Sequence, residues 1–415
     1  MPMPPSLRRS LPVLTVAGLL ALPVAATSAE PWREVPLEGP IEYTLPDGGT
    51  RSLNPSCSGG PVRSRKGFEA ADPRFSFFVQ RGDPRRLLIA FDGGGVCWND
   101  DTCMTAALAG RATYTMTVTE TATSLARKGG LLGSRDERNP FREYTKVFVP
   151  YCTADVHWGS KDTTYSVRLL GRRISWTLRH RGTDNMLGVL DWLEHNGAGE
   201  LGVDLATLDR LTIAGASAGG YGAMLAFAYA APLAPHARQS LVADASAGVL
   251  TSSFYRSALY SATSPAGANW NVAGSLPAHL PNAATLLADA SERPNSLVPL
   301  WYQSLAALSP QASFAFLTTN LDAVQIEFYA LMRGDLLPSL SGPRNWYEGM
   351  QSIALAGAAL PGFRYYIDGG TSHTVLATDR EYYGRDSHVV APADWLAAML
   401  GDGVWEHLDA GRPRL

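Results

Sequence analysis

Residues 210–230 read RLTIAGASAGGYGAMLAFAYA, and this stretch constrains the fold more tightly than any other. A short apolar run ends on Gly215-Ala216-Ser217-Ala218-Gly219, and a small-residue helical pattern begins near Gly219. G-x-S-x-G between a strand and a helix marks a sharp turn with the serine exposed at its apex, where flanking side chains would collide. A continuous apolar run of this length is how a parallel strand buried on both faces reads. Similar runs recur at 86–92 (RLLIAFD), 146–152 (KVFVPYC), 240–246 (SLVADAS), 313–320 (SFAFLTTN) and 363–369 (FRYYIDG). Helical patterns such as Thr183–His195 lie between them. Strands alternating with helices predict an α/β fold, with a mostly parallel sheet covered on both faces and its site at the carboxyl ends of the strands.

The chain has 415 residues, 46% of them hydrophobic, enough for a large core. A net charge of −3 offers no basic footprint for nucleic acid, and no basic helix suggests a membrane surface. Arg8 and Arg9, an apolar run from Leu11 to Ala26 and small residues up to Ala29 form a signal-peptide pattern. The run contains Pro12 and Pro23 and is shorter than a membrane span. The expectation is a leader over 1–29, a secreted or periplasmic protein, and one domain over 30–415. Residues 251–310, rich in Ser, Ala, Pro and Asn with scattered aromatics, interrupt the rhythm. They read as a cap insertion or, alternatively, as an irregular surface excursion.

Export makes disulfides the default use of four cysteines, Cys57, Cys97, Cys103 and Cys152. Three pairings are possible. The favoured one closes Cys97–Cys103 as a clamp on the loop after the glycines, leaving Cys57–Cys152. Zinc held by Cys152 and His157 is the alternative, and no recognisable ligand spacing supports it.

A serine hydroxyl needs a base to take its proton, and the base needs an acid to orient it. With Ser217 as nucleophile on such a sheet, acid and then histidine follow in the chain. His373, in IDGGTSHTVL directly after an apolar run, is the candidate base; His388 and His407 lie in polar stretches and read as surface residues, and His279 as structural. Asp322, in TTNLDAVQ after the SFAFL run, is the candidate acid, with Asp244 as runner-up. Ser246, in DASAG, mimics the serine motif without its first glycine and reads as a loop residue. The triplet Gly93-Gly94-Gly95 has three readings: a plain turn, a phosphate cradle or an oxyanion hole. A cradle would need G-x-G-x-x-G and a helix, or a lysine-bearing loop, and neither follows. The oxyanion reading takes N–H donors from Gly94, Gly95 and Ala218.

Together FDGGGVCWNDDTC (91–103), NPFREYTKVFVPYCTADVHWGS (139–160), HRGTDNM (180–186), AGASAGGYGAM (214–224), NLDAVQ (320–325) and GGTSHT (369–374) resemble the pectin acetylesterase family of serine carboxylesterases. The resemblance implies an α/β-hydrolase fold and an esterase that uses neither metal nor other cofactor. It puts the nucleophile on Ser217, the acid on Asp322, the base on His373 and the oxyanion donors on Gly94, Gly95 and Ala218. Family members carry tryptophan in or beside the glycine run where this chain has Val96, and four cysteines are fewer than plant and animal members have, as in a bacterial relative. The expected function is secreted hydrolysis of short-chain, acetyl-type esters, with acetylated polysaccharide such as pectin as the partner substrate. The alternatives are a lipase or acyl-protein deacylase for longer chains, and a catalytically dead binding protein on the same scaffold.

Overall fold

The computed structural model describes residues 30–414, apart from 170, 265–266, 336–341, 386 and 402. The leader expected at 1–29 lies outside the described residues. Nine strands form the central sheet: β1 (Arg33–Leu37), β2 (Phe75–Gln80), β3 (Asp83–Phe91), β4 (Tyr144–Val149), β5 (Arg210–Ala216), β6 (Arg238–Asp244), β7 (Ser313–Thr319), β8 (Phe363–Asp368) and β9 (Leu408–Asp409). Their order is β1-β2-β4-β3-β5-β6-β7-β8-β9. β1 and β2 run antiparallel to their neighbours, and every pairing from β4 to β9 is parallel. This is an α/β-hydrolase sheet, read directly from its connectivity.

The six apolar runs became β3 to β8 because each is buried on both faces. In β3, Leu87, Ile89 and Phe91 point into one core, and Leu88 and Ala90 into the other. Helices α1 (Gly182–Leu201) and α2 (Ala218–Ala230) fill the first side. So do α3 (Ala283–Ser291), α4 (Leu297–Leu308) and α6 (Gly342–Ala358), while α7 (Pro392–Leu400) covers the second. α1 runs well past the expected His195 and stops at Gly202, whose φ of 73° supplies the left-handed cap. α5 (Ala323–Arg333) follows β7.

Of the two readings of 251–310, the surface excursion does not fit the described residues between β6 and β7: Tyr255, Trp270, Trp301 and Tyr302 are all buried. A two-stranded hairpin, Lys161–Leu169 with Arg172–His180, was not anticipated. The cysteines pair as favoured, Cys57–Cys152 and Cys97–Cys103. That leaves Cys152 no thiolate for zinc. Among the described residues, no helix is long and apolar enough to cross a membrane.

Candidate active site

Ser217 sits between β5 and α2 with φ 57° and ψ −127°. A side chain at 215 would strike the carbonyl of Gly219, and one at 219 the carbonyl of Phe91, so both motif glycines are sterically required. The bent backbone is held from outside the motif. Ser217 N–H donates to Asp244 O at 2.9 Å, and its carbonyl accepts from Gly220 N–H at 3.0 Å and Ser246 Oγ at 2.7 Å. Ser246 lies in the loop after β6, as its sequence reading has it, and is buried there, where it braces the turn. The amino end of α2, thirteen residues long, points at the serine, where the helix dipole favours negative charge.

The structure brings Asp322 and His373 together. His373 Nδ1 lies 2.9 Å from both carboxylate oxygens of Asp322. Asp322 is fully buried and caps α5: Oδ1 accepts from Gln325 N–H at 2.9 Å and Oδ2 from Gln325 Nε2 at 2.9 Å. The loops after β7 and β8 are tied to each other, since Leu321 N–H donates to Gly370 O, Ala323 N–H to Thr371 O and Thr319 Oγ1 to Ser372 O. Carboxylate and imidazole thus sit on one cross-linked unit. The His373 side chain keeps 21% of its surface exposed, so it remains open to a ligand.

Asp244, the alternative acid, faces elsewhere. Its Oδ2 accepts from the N–H groups of Val375 and Leu376 at 2.7 and 2.9 Å, and burial pushes its carboxyl up to about 7. It fastens the His373 loop to the strand beside Ser217. His388 and His407 are half-buried rather than surface residues: His388 bonds Ile367 O and His407 stacks on Tyr365. His279 bonds Ala228 O within the fold.

The glycine loop follows β3 and packs beside the serine. A side chain at 93 would lie 2.7 Å from Ser217 Cβ, and Gly95 has φ 77°. Val96 N–H is consumed by Thr113 O at 2.9 Å, which removes it as a donor to a ligand. Among the described residues, none accepts from the N–H groups of Gly94, Gly95 or Ala218. Ser217, His373, Gly95 and Ala218 line one cleft of about 700 Å³, counted to its open mouth. Its walls are mainly apolar, with Phe254, Leu259 and Trp270 from the 251–310 segment, Phe328 and Met332 from α5, and Trp346 from α6. Val96 borders it too. Gln325 and Ser246 were not legible beforehand, because their roles arise only from packing between distant loops.

The parallel sheet from β4 to β9, with Ser217 after β5, Asp322 after β7 and His373 after β8 at one end, defines the chain as an α/β-hydrolase in fold. Within that class the chain is similar to the pectinacetylesterases: the model of the pectinacetylesterase family matches residues 74–258. A palmitoleoyl-protein carboxylesterase NOTUM from Schmidtea mediterranea is 29% identical over 144 residues, 34% of this chain and 23% of that protein. The aligned part thus spans about a quarter of the curated relative's length. Among solved structures, the Wnt deacylase Notum from Drosophila is similar at TM-score 0.49 and 15% identity, covering 89% of this chain and 93% of that one. A poly(3-hydroxybutyrate) depolymerase, LpqC, from Bordetella parapertussis is similar at TM-score 0.32 and 13% identity, covering 83% and 90%.

Proposed function

We propose that this protein is a secreted serine carboxylesterase, with Ser217 as nucleophile, His373 as base and Asp322 as the acid that orients it. The carrying observation is the 2.9 Å contact of His373 Nδ1 with both Asp322 oxygens, beside a cleft that Ser217 and His373 share. His373, holding its proton on Nδ1 toward Asp322, takes the serine proton on Nε2 as Ser217 attacks the ester carbonyl. The N–H groups of Gly94, Gly95 and Ala218 receive the oxyanion, aided by the amino end of α2. The imidazolium returns its proton to the leaving alcohol, and water clears the acyl-enzyme by the same route.

For the acyl group two readings have support. The family match favours acetyl esters of a polysaccharide such as pectin. The apolar lining from Phe254 to Trp346 favours longer chains, of the kind named for the palmitoleoyl-protein carboxylesterase relative. The two disulfides and the leader pattern over residues 1–29 support export.

The test is turnover of p-nitrophenyl esters from acetate to dodecanoate by wild type and Ser217→Ala. Ser217→Ala is expected to abolish turnover and labelling by a fluorophosphonate. Retained activity refutes the nucleophile, and a wild type that neither turns over nor labels is a binding scaffold instead. The chain length with the highest kcat/KM decides between the acyl readings.

A further inference from the structure

Residues 153–158 follow β4, and the mechanism above leaves them unused. Ala154, Val156 and His157 have φ of 64°, 50° and 63°. Left-handed backbone at three non-glycine positions in so short a stretch persists only where the surroundings enforce it, and such clusters gather at functional sites. The enforcing contacts are specific. The buried Asp155 carboxylate accepts from Thr153 Oγ1 at 2.6 Å, His157 N–H at 3.0 Å and Gly182 N–H at 2.9 Å. Val156 N–H donates to the Tyr151 hydroxyl at 2.9 Å, and Ala154 O accepts from Cys97 N–H at 3.1 Å.

The outcome of this bending is where the His157 ring goes. It is buried between Phe91 and Tyr151 and against Gly222 of α2, where any side chain would lie 2.7 Å from the ring. Its Nε2 lies 3.0 Å from the carbonyl oxygen of Asp92. A carbonyl only accepts, so Nε2 carries the proton. Asp92 immediately precedes Gly93-Gly94-Gly95, a run with little intrinsic preference for one conformation.

We infer that His157 is a positioning residue for the oxyanion loop: its Nε2–H bond to Asp92 O fixes the peptide from which the glycines depart and so aims the Gly94 and Gly95 N–H groups. This rests on the esterase reading above. Burial holds His157 down at about 4, so the ring is neutral at ordinary pH and keeps this donor without carrying a charge.

The test compares His157→Asn with His157→Gln. Asparagine suits the left-handed backbone better, but its amide falls short of Asp92 O; glutamine reaches as far as the histidine Nε2. A merely structural role makes asparagine the better replacement, and the positioning role makes it the worse. With p-nitrophenyl butyrate, kcat of His157→Asn is expected to fall on the order of 10²-fold with KM little changed, the signature of lost transition-state stabilisation. His157→Gln is expected to recover at least about a tenth of wild-type kcat, although its thermal midpoint is the lower of the two. If His157→Asn keeps kcat within about threefold, or outperforms His157→Gln, the positioning role is overturned. Ser217→Ala measured alongside separates the two ideas. If it retains activity, the esterase reading and this inference fall together; if it is inactive while His157→Asn is unimpaired, this inference alone falls.

Discussion

Replacing Asp322 by asparagine tests the proposed acid on atoms already placed. Both its oxygens are occupied: Oδ1 by Gln325 N–H, Oδ2 by Gln325 Nε2, with His373 Nδ1 2.9 Å from each. An asparagine must put its NH₂ at one of these positions. At Oδ1 it would confront a backbone N–H that cannot turn. At Oδ2 it meets the Gln325 side-chain amide, which can turn only by withdrawing Oε1 from Ala247 N–H. The second arrangement is the cheaper, so the asparagine carbonyl stays at Oδ1 and still accepts from His373 Nδ1. The imidazole tautomer survives, and the main loss is the negative charge that stabilises the imidazolium. A unit charge at about 4 Å in an effective dielectric of about 20 contributes about 4 kcal/mol. That corresponds to a fall of about 10³-fold in kcat. The assay is steady-state hydrolysis of p-nitrophenyl butyrate, with KM expected to stay within about threefold. Asp244→Asn, measured in parallel, is expected to keep kcat within about tenfold, since Asp244 holds main-chain N–H groups rather than the ring. Retention of more than about a tenth of kcat by Asp322→Asn, or collapse of Asp244→Asn instead, refutes the assignment.

Asp244 also predicts a pH effect on stability. Its carboxyl is raised from 3.8 to about 7. Its contribution to stability is therefore fully present below 3.8 and is lost as pH rises through about 7. Asp244→Asn should gain on wild type over that range by up to about 4 kcal/mol, and urea midpoints at about pH 5 and about pH 8 check it; parallel curves for the two proteins contradict it. Val96→Trp puts a ring into the cleft and should lower kcat/KM for p-nitrophenyl octanoate at least about tenfold more than for the acetate. An unchanged chain-length profile places the acyl group elsewhere. Removing Cys57–Cys152, which joins residues 95 apart, should cost about 4–5 kcal/mol, and removing Cys97–Cys103, 6 apart, about 2 kcal/mol. The second, however, should lower kcat more, because that bridge anchors the segment that begins two residues after Gly95. Denaturant unfolding and kcat of the two double-serine variants check both halves.

The parts of this molecule legible in its sequence are those set by local rules. β3 to β8 announced themselves because strands buried on both faces must be apolar at every position. The outer hairpin Lys161–His180 did not, although its inward residues Tyr165, Val167, Ile174 and Trp176 alternate with Thr164, Ser166, Ser175 and Thr177. That period-two alternation marks a pair exposed on one face, unlike the apolar runs of the central sheet. Ser217 and His373 could be nominated from turn chemistry and chain order; strand order and resemblance favour Asp322 over Asp244, and in three dimensions it is Asp322, capping α5, that contacts His373 Nδ1. Ser246, Gln325 and His157 lay beyond sequence reasoning for one reason. Each acts on a backbone or carboxylate group through a contact that the fold creates, His157 across 65 positions to Asp92.

The 251–310 segment has a consequence beyond packing. It leaves the sheet after β6 and returns at β7, it contains neither Ser217, Asp322 nor His373, and yet it supplies Phe254, Leu259 and Trp270 to the cleft wall. The proposed reactive groups and this part of the cleft contour are thus written in separate stretches of the chain. On the esterase reading, an evolving lineage, or an engineer, that exchanges this cassette would redraw that part of the ester site while leaving Ser217, Asp322 and His373 in place.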